Sequence, residues 1–155
     1  MTASSTIRGF FERDHDRLDD LFASYQAHKR SDMGKAKDLF EQFRAGLERH
    51  IVWEEGLLFP LWEQKTGMSD AGPTVIMRAE HHQIHQLLDR IQSAIAAGNV
   101  ESDRAEQGLA DILTSHNMKE ERVLYPAIDQ VMSEEERAEV FREIEEDAAG
   151  RQAGT

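Results

Sequence analysis

His50-Ile51-Val52-Trp53-Glu54-Glu55-Gly56-Leu57-Leu58-Phe59-Pro60 returns 66 positions later as His116-Asn117-Met118-Lys119-Glu120-Glu121-Arg122-Val123-Leu124-Tyr125-Pro126. Both stretches read His-x3-Glu-Glu-x2-Leu-aromatic-Pro. The same 66-residue shift carries His15 onto His81, so that His15-Asp16-Arg17-Leu18-Asp19-Asp20-Leu21-Phe22 aligns with His81-His82-Gln83-Ile84-His85-Gln86-Leu87-Leu88. A repeat of this length carrying one histidine-bearing segment and one His-x3-Glu segment reads as a duplicated pair of helices.

Working outward, the apolar residues recur at three- and four-residue steps, the signature of amphipathic helices. Phe10, Phe11, Leu18, Leu21, Phe22 and Tyr25 predict a first helix over about 5–28, and Leu39, Phe40, Phe43, Leu47, Ile51 and Leu58 a second over about 33–66. Ser31 or Asp32 can cap the second. Pro60 lies inside it and predicts a kink or break, because proline removes one backbone bond and clashes with the previous turn. A third helix runs from Pro73 to about Ala97 and ends at Gly98-Asn99. The fourth opens near Ser102, carries His116 and Glu120, and repeats the proline break at Pro126. Ser133-x-x-Glu136 is a capping-box pattern for a short fifth helix over about 134–147, with a tail from Gly150 to Thr155 expected to fray. The expected architecture is all-α. It is an antiparallel up-down-up-down four-helix bundle over about 5–131, closed by the C-terminal helix, in a single domain over 1–155.

At 155 residues the chain can bury a real core. Its net charge of −12 argues against nucleic acid as a partner, which needs clustered Lys and Arg. The absence of cysteine excludes disulfides, thiolate zinc sites, iron–sulfur ligation and cysteine nucleophiles. Neither a signal peptide nor a membrane span is read in the sequence. The chain is therefore expected to be cytoplasmic and away from membranes.

Residues four apart share a helix face. His50 with Glu54, His116 with Glu120, and His81 with His85 can each point into one cavity, and His15 joins them from the first helix. Such groups are costly inside a bundle unless they are paired or ligating, and helical carbonyls are already used. A metal resolves the conflict. Nitrogen and oxygen donors without sulfur suit iron, manganese, zinc or copper, with the carboxylates favouring iron or manganese. The donors exceed what one ion takes and suit two ions that share Glu54 and Glu120. His28 reads as an ordinary polar residue and His82 as surface or supporting. Glu55 and Glu121 read mainly as a solvated, helix-stabilising face, with hydrogen bonding to the histidines as the other reading. Asp14 and Glu80 are weaker candidates for that supporting role. Trp53, Trp62, Phe59 and Tyr125 read most simply as packing.

Taken together, His15, His50 with Glu54, His81 with His85, and His116 with Glu120 resemble the hemerythrin-like family, the HHE cation-binding domain, over roughly residues 8–130. The resemblance implies a four-helix bundle holding two iron ions joined by an oxo or hydroxo bridge, with manganese possible. One iron would take His81, His85 and His116 and the other His15 and His50, while Glu54 and Glu120 bridge. Hemerythrins proper end on an aspartate five residues after the last histidine; here Glu120 and Glu121 stand at +4 and +5, and symmetry with Glu54 favours Glu120. Asp19 stands where His85 stands in the other half and could fill the open position of the second iron.

The function implied is binding or sensing of dioxygen or a related small oxidant. Alternatives are a di-iron enzyme that detoxifies peroxide or nitric oxide, and a protein for iron storage or sensing. A repair role of the kind seen in cysteine-bearing relatives is disfavoured by the missing thiol. The resemblance names no protein partner.

Overall fold

The computed structural model describes residues 6–99 and 101–153. Apart from short connections they are helical, in the order α1 (Ile7–His28), α2 (Met33–Trp53), a π turn (Glu54–Leu58), α3 (Phe59–Thr66), α4 (Pro73–Ala96), α5 (Asp103–Lys119), a second π turn (Glu120–Leu124), α6 (Tyr125–Val131) and α7 (Glu134–Ala153). No described helix is long and apolar enough to cross a membrane. The ends expected at Ser5 and at Thr155 lie outside the described residues.

Local chemistry sets the helix ends. The Thr6 side chain accepts from the Gly9 N–H at the start of α1, and Asp32 accepts from the Lys35 N–H at the start of α2. Ser133 and Glu136 form the reciprocal capping box, with Glu136 N–H donating to Ser133 Oγ at 3.1 Å and Ser133 N–H donating to Glu136 Oε1 at 2.8 Å. Gly98, at φ 68°, ends α4 in the left-handed conformation that glycine adopts without strain. The fifth helix is longer than expected. It continues past Asp147 through Gly150 to Ala153 instead of fraying at Gly150.

The two proline breaks take an unexpected form. Pro60 and Pro126 lack the N–H that would bond one turn back. The preceding turn widens, so that the Phe59 N–H reaches the Glu54 carbonyl and the Tyr125 N–H reaches the Glu120 carbonyl, five residues back in each case. Each proline then falls in the first turn of the next helix, where no donor is needed. Each widened turn begins on one of the two glutamates.

Helices α1 and α2 pack as an antiparallel hairpin, with Tyr25 against Phe40, Phe22 against Phe43, Phe11 against His50 and Phe10 against Trp53. Helices α4 and α5 pack likewise, with Glu80 against His116. The core divides in two. One apolar cluster, including Leu18, Phe22, Phe40, Phe43, Leu47, Ile84, Leu88 and Leu113, fills the end where α1 and α2 are joined. The other includes Phe11, Trp53, Leu58, Phe59, Met77, Leu124, Tyr125 and Ile128 and takes in Val140 and Ile144 of α7. The histidine layer lies between these two apolar blocks. His15 stands between Phe11 and Leu18, and His81 between Met77 and Ile84.

Candidate metal centre

Helices α1, α2, α4 and α5 each place one buried histidine in this layer: His15, His50, His81 and His116. The π turns add Glu54 and Glu120, both fully buried. Two groups result, each with ligand atoms within 4.8 Å of one another: His15, His50, Glu54 and Glu120, and His81, His116, Glu54 and Glu120. The glutamates belong to both. Glu54 Oε2 lies 3.6 Å from His50 Nε2, while its other oxygen, Oε1, lies 3.1 Å from His81 Nε2. Glu120 Oε1 lies 3.2 Å from His15 Nε2, and its Oε2 lies 3.2 Å from His116 Nε2. Each carboxylate thus gives one oxygen to each half, which is the disposition of a bridging ligand.

All four imidazoles turn Nε2 inward and Nδ1 outward, and each Nδ1 meets a carboxylate. His15 pairs with Glu121 and His81 with Glu55, both at 2.7 Å. His50 pairs with Asp14 and His116 with Glu80, both at 2.8 Å. The pairs repeat across the 66-residue shift, Glu55 with Glu121 and Asp14 with Glu80. A carboxylate on Nδ1–H fixes the tautomer that leaves Nε2 free to ligate and raises its basicity. The solvated reading of Glu55 and Glu121 is therefore replaced by a specific one. The duplication carried that signal, because all four acids repeat with their histidines.

The electrostatics follow from burial. Burial opposes the charge on His50 and His81, but Glu54 outweighs it with Asp14 or Glu55, pushing His50 up to about 10 and His81 up to about 9. His116 is raised as well, against burial, by Glu120. Glu54 is held well below the usual carboxylate range, because His50 and His81 overcome its desolvation. Burial, then Glu120 and Glu54, push the Tyr125 phenol well up, so it stays neutral.

Sequence reasoning treated Tyr125 mainly as packing, and the structure gives it more. Its hydroxyl donates to Glu54 Oε2 at 2.6 Å and approaches Glu120 Oε1 at 2.9 Å. His50 Nε2 and His15 Nε2 lie 3.3 and 3.4 Å from the same oxygen. In the other half the equivalent residue is Phe59, which stacks on His81 with no polar group to offer.

His85 is not brought to these atoms. It belongs to neither group; its side chain is 39% exposed and its Nδ1 lies 3.6 Å from Glu48. The buried seam of α4 runs Met77, His81, Ile84, Leu88, so after His81 it advances by three residues, and position 85 is turned off it. Asp19, its counterpart, is turned off the α1 seam in the same way and is exposed. Asp19 instead lines a cleft of about 440 Å³ between α1 and α5, with Asp16, Phe22, Gln26, Glu121 and Arg122. Glu121, the rival of Glu120, sits outside the groups as the partner of His15. Near the end of α1 the His28 Nδ1–H donates to the Ser24 carbonyl at 2.8 Å, and His82 is exposed.

The residues present fit a metal. Glu54 Oε1, His81 Nε2 and Glu120 Oε2 are buried with no hydrogen bond, although Glu54 Oε1 lies 3.1 Å from His81 Nε2 and Glu120 Oε2 lies 3.2 Å from His116 Nε2. Orphaned buried groups of this kind are costly, and a cation among them would satisfy all three.

Comparison with known proteins agrees with this chemistry. The hemerythrin HHE cation-binding domain pattern matches residues 6–128. Over 130 residues, 84% of the chain, it is 29% identical to a DNA nickase of Nostoc, 35% of whose length is matched. Over 93 residues, 56% of the chain, it is 34% identical to the iron–sulfur cluster repair protein YtfE of Edwardsiella ictaluri, 42% of whose length is matched. The chain thus spans less than half the length of these relatives. No solved structure matches it.

Proposed function

The chain belongs to the hemerythrin HHE cation-binding family, and from that premise we propose that it is a non-haem di-iron protein that binds or senses dioxygen or a related small oxidant. His15 and His50 would hold one ion and His81 and His116 the other, bridged by Glu54 and Glu120, in an up-down-up-down bundle. The observation that carries this reading is the division of the two carboxylates, one oxygen to each half, among four inward Nε2 atoms.

Iron bound there supplies the redox chemistry, and the protein supplies the setting. Phe11 and Phe59, packed on His50 and His81, keep water from the layer. The four outer carboxylates hold the imidazoles in one tautomer. Tyr125 keeps a proton between the two bridging glutamates. The cleft between α1 and α5 brings a small molecule as far as Glu121, one hydrogen bond from His15.

Metal analysis with a visible spectrum tests the proposal. Two iron ions per chain with oxo-bridge absorption, and a reversible spectral change on exposure to dioxygen, are expected. One zinc per chain sinks it. Sustained turnover of hydrogen peroxide by the iron-loaded protein assigns an enzyme instead.

A second reading, iron handling, is favoured by the repair protein among the relatives. It predicts iron released to an acceptor without a reversible oxygenated form. A thiol-based repair step has no support, since the chain lacks cysteine. A nuclease reading, which the Nostoc relative's name invites, fits poorly with a net charge of −12.

A further inference from the structure

The 66-residue repeat preserves the four histidines, the two inner glutamates and all four outer carboxylates, yet it sets Phe59 against Tyr125. This difference falls inside the centre and makes its halves chemically unequal. In the His15/His50 half, the Tyr125 hydroxyl fills the space among the ligand atoms. Its one proton is shared between Glu54 Oε2 at 2.6 Å and Glu120 Oε1 at 2.9 Å, and its oxygen lies within 3.4 Å of both Nε2 atoms. In the His81/His116 half, Phe59 offers a ring and no hydroxyl, and three ligand atoms there have no hydrogen bond: Glu54 Oε1, His81 Nε2 and Glu120 Oε2. All four carboxylate oxygens are thereby sorted. The two facing Tyr125 are bonded; the two facing His81 and His116 are not.

Resting on the di-iron reading above, we infer that the two ions load in a fixed order, because the Tyr125 hydroxyl acts as an internal plug: the His81/His116 half takes the first cation and the His15/His50 half the second. The physical reason is a difference in what each ion replaces. In both halves a cation displaces the approach of the glutamates to the imidazoles, but in the His81/His116 half it breaks no bond to a phenol, and it pairs three buried atoms that have no hydrogen bond. A cation entering the other half must first break the bonds that Tyr125 makes to Glu54 and Glu120 and move the phenol aside. A ligand-poor, singly loaded form is then a populated state of the protein rather than a passing one. Tyr125 is a positioning residue in this scheme. Its effect is on the order and separation of two affinities, not on the fold.

Anaerobic titration with Co²⁺, followed by the visible ligand-field bands and by native mass spectrometry to count ions per chain, tests the order. The wild-type chain is expected to bind in two steps separated by about tenfold or more, the worth of one or two hydrogen bonds. Y125F removes the plug while keeping every ligand, and is expected to bring the two steps together. F59Y places a second hydroxyl in the opposite half and is expected to weaken the first step. Because these two variants leave the ligands intact, they remain informative if a histidine variant fails to fold. Among ligand variants, H15A is expected to retain the tight step and lose the weak one, and H81A to lose the tight step. Equal affinities in the wild-type chain, an unchanged separation in Y125F, or loss of the tight step in H15A with its survival in H81A would overturn the inference while leaving the di-iron reading standing. A chain that binds no Co²⁺ at any concentration overturns the metal centre itself, and the loading order with it.

Discussion

At the scale of single residues, the centre is built in two shells, and the outer one is as regular as the inner. Glu121, Glu55, Asp14 and Glu80 each hold one Nδ1. Replacing such a partner typically lowers metal affinity about 10- to 100-fold. E55Q and D14N should therefore weaken metal binding by that order without abolishing it, as measured by competition with a chelator, whereas H116A should abolish one site. H85A should keep full metal content, because the His85 side chain is turned off the α4 seam; its loss of metal would restore His85 to the ligand set. The residues that converge on the layer share a repeat of both type and spacing, which is what made them candidates in the sequence. His85 lies apart from them because a step of four on a helix allows two side chains to share a face without requiring that the face point inward, and the seam of α4 takes its three-residue step at that place. Tyr125 was hidden for a different reason. A pattern that records only "aromatic" at that position treats Phe59 and Tyr125 as equals, and the hydroxyl that separates them acts only when four helices have converged.

At the scale of elements, the duplicated prolines act before themselves in the chain. Their missing donors are absorbed by the π turns that begin at Glu54 and Glu120, so the glutamates inherit an irregular backbone at the centre of the molecule. Wide turns of this kind are often found at functional sites. The sequence foretold an interruption there but not its form, since a kink, a break and a widened turn all accommodate proline. Two glycines in the same hairpin make opposite predictions. A methyl group on Gly46 would come within 2.8 Å of Leu18 Cδ2 and 3.1 Å of Arg17, because α1 and α2 approach closely there. G46A should destabilise the protein by about 1–3 kcal/mol through overpacking. Gly56, in the first π turn, would meet nothing within 4 Å. G56A should be neutral or stabilising by up to about 1 kcal/mol, since alanine restricts the unfolded chain. Urea denaturation of both variants at one pH checks the contrast.

At the scale of the whole molecule, the end of the bundle remote from α7 departs from the repeat. Glu106 stands where the first half has Phe40, and Lys29 where the second half has Ile95. Both are buried; the Lys29 ammonium lies 2.8 Å from Glu106 and 2.5 Å from Asp103, while Tyr25 and Gln26 donate to Glu106. Despite desolvation, Lys29 with Ser102, Gln26 and Tyr25 hold the Glu106 carboxyl below its ordinary 4.5. Likewise Asp103 and Glu106 overcome burial and raise Lys29 above 10.5. The signs give a window. The contribution of Glu106 is fully present above 4.5 and is lost as pH falls through its lowered value, and that of Lys29 is fully present below 10.5 and is lost as pH rises through its raised value. The network's own contribution should hence form a plateau between these limits, read as the difference in urea midpoint between the wild-type chain and K29M. K29M, which leaves Glu106 buried without its cation, should lower stability at neutral pH by about 3–5 kcal/mol and lose less on further acidification than the wild-type chain. A parallel descent of both chains into acid would place the pH dependence elsewhere. Metal adds to stability independently of this network. A cation held only by the folded chain should stabilise it by about 2.7 kcal/mol at a hundred times its dissociation constant, read as a rise in thermal midpoint reversed by chelation.

Trp53, next in sequence to Glu54, turns its indole N–H to Asp147 of α7 at 3.0 Å and packs beside Phe10, which in turn meets Phe141. The chain therefore carries its own fluorescent gauge of whether the acidic terminal helix is seated. Lifting α7 would wet that ring and shift its emission to the red, even while the four histidines stayed in register below it.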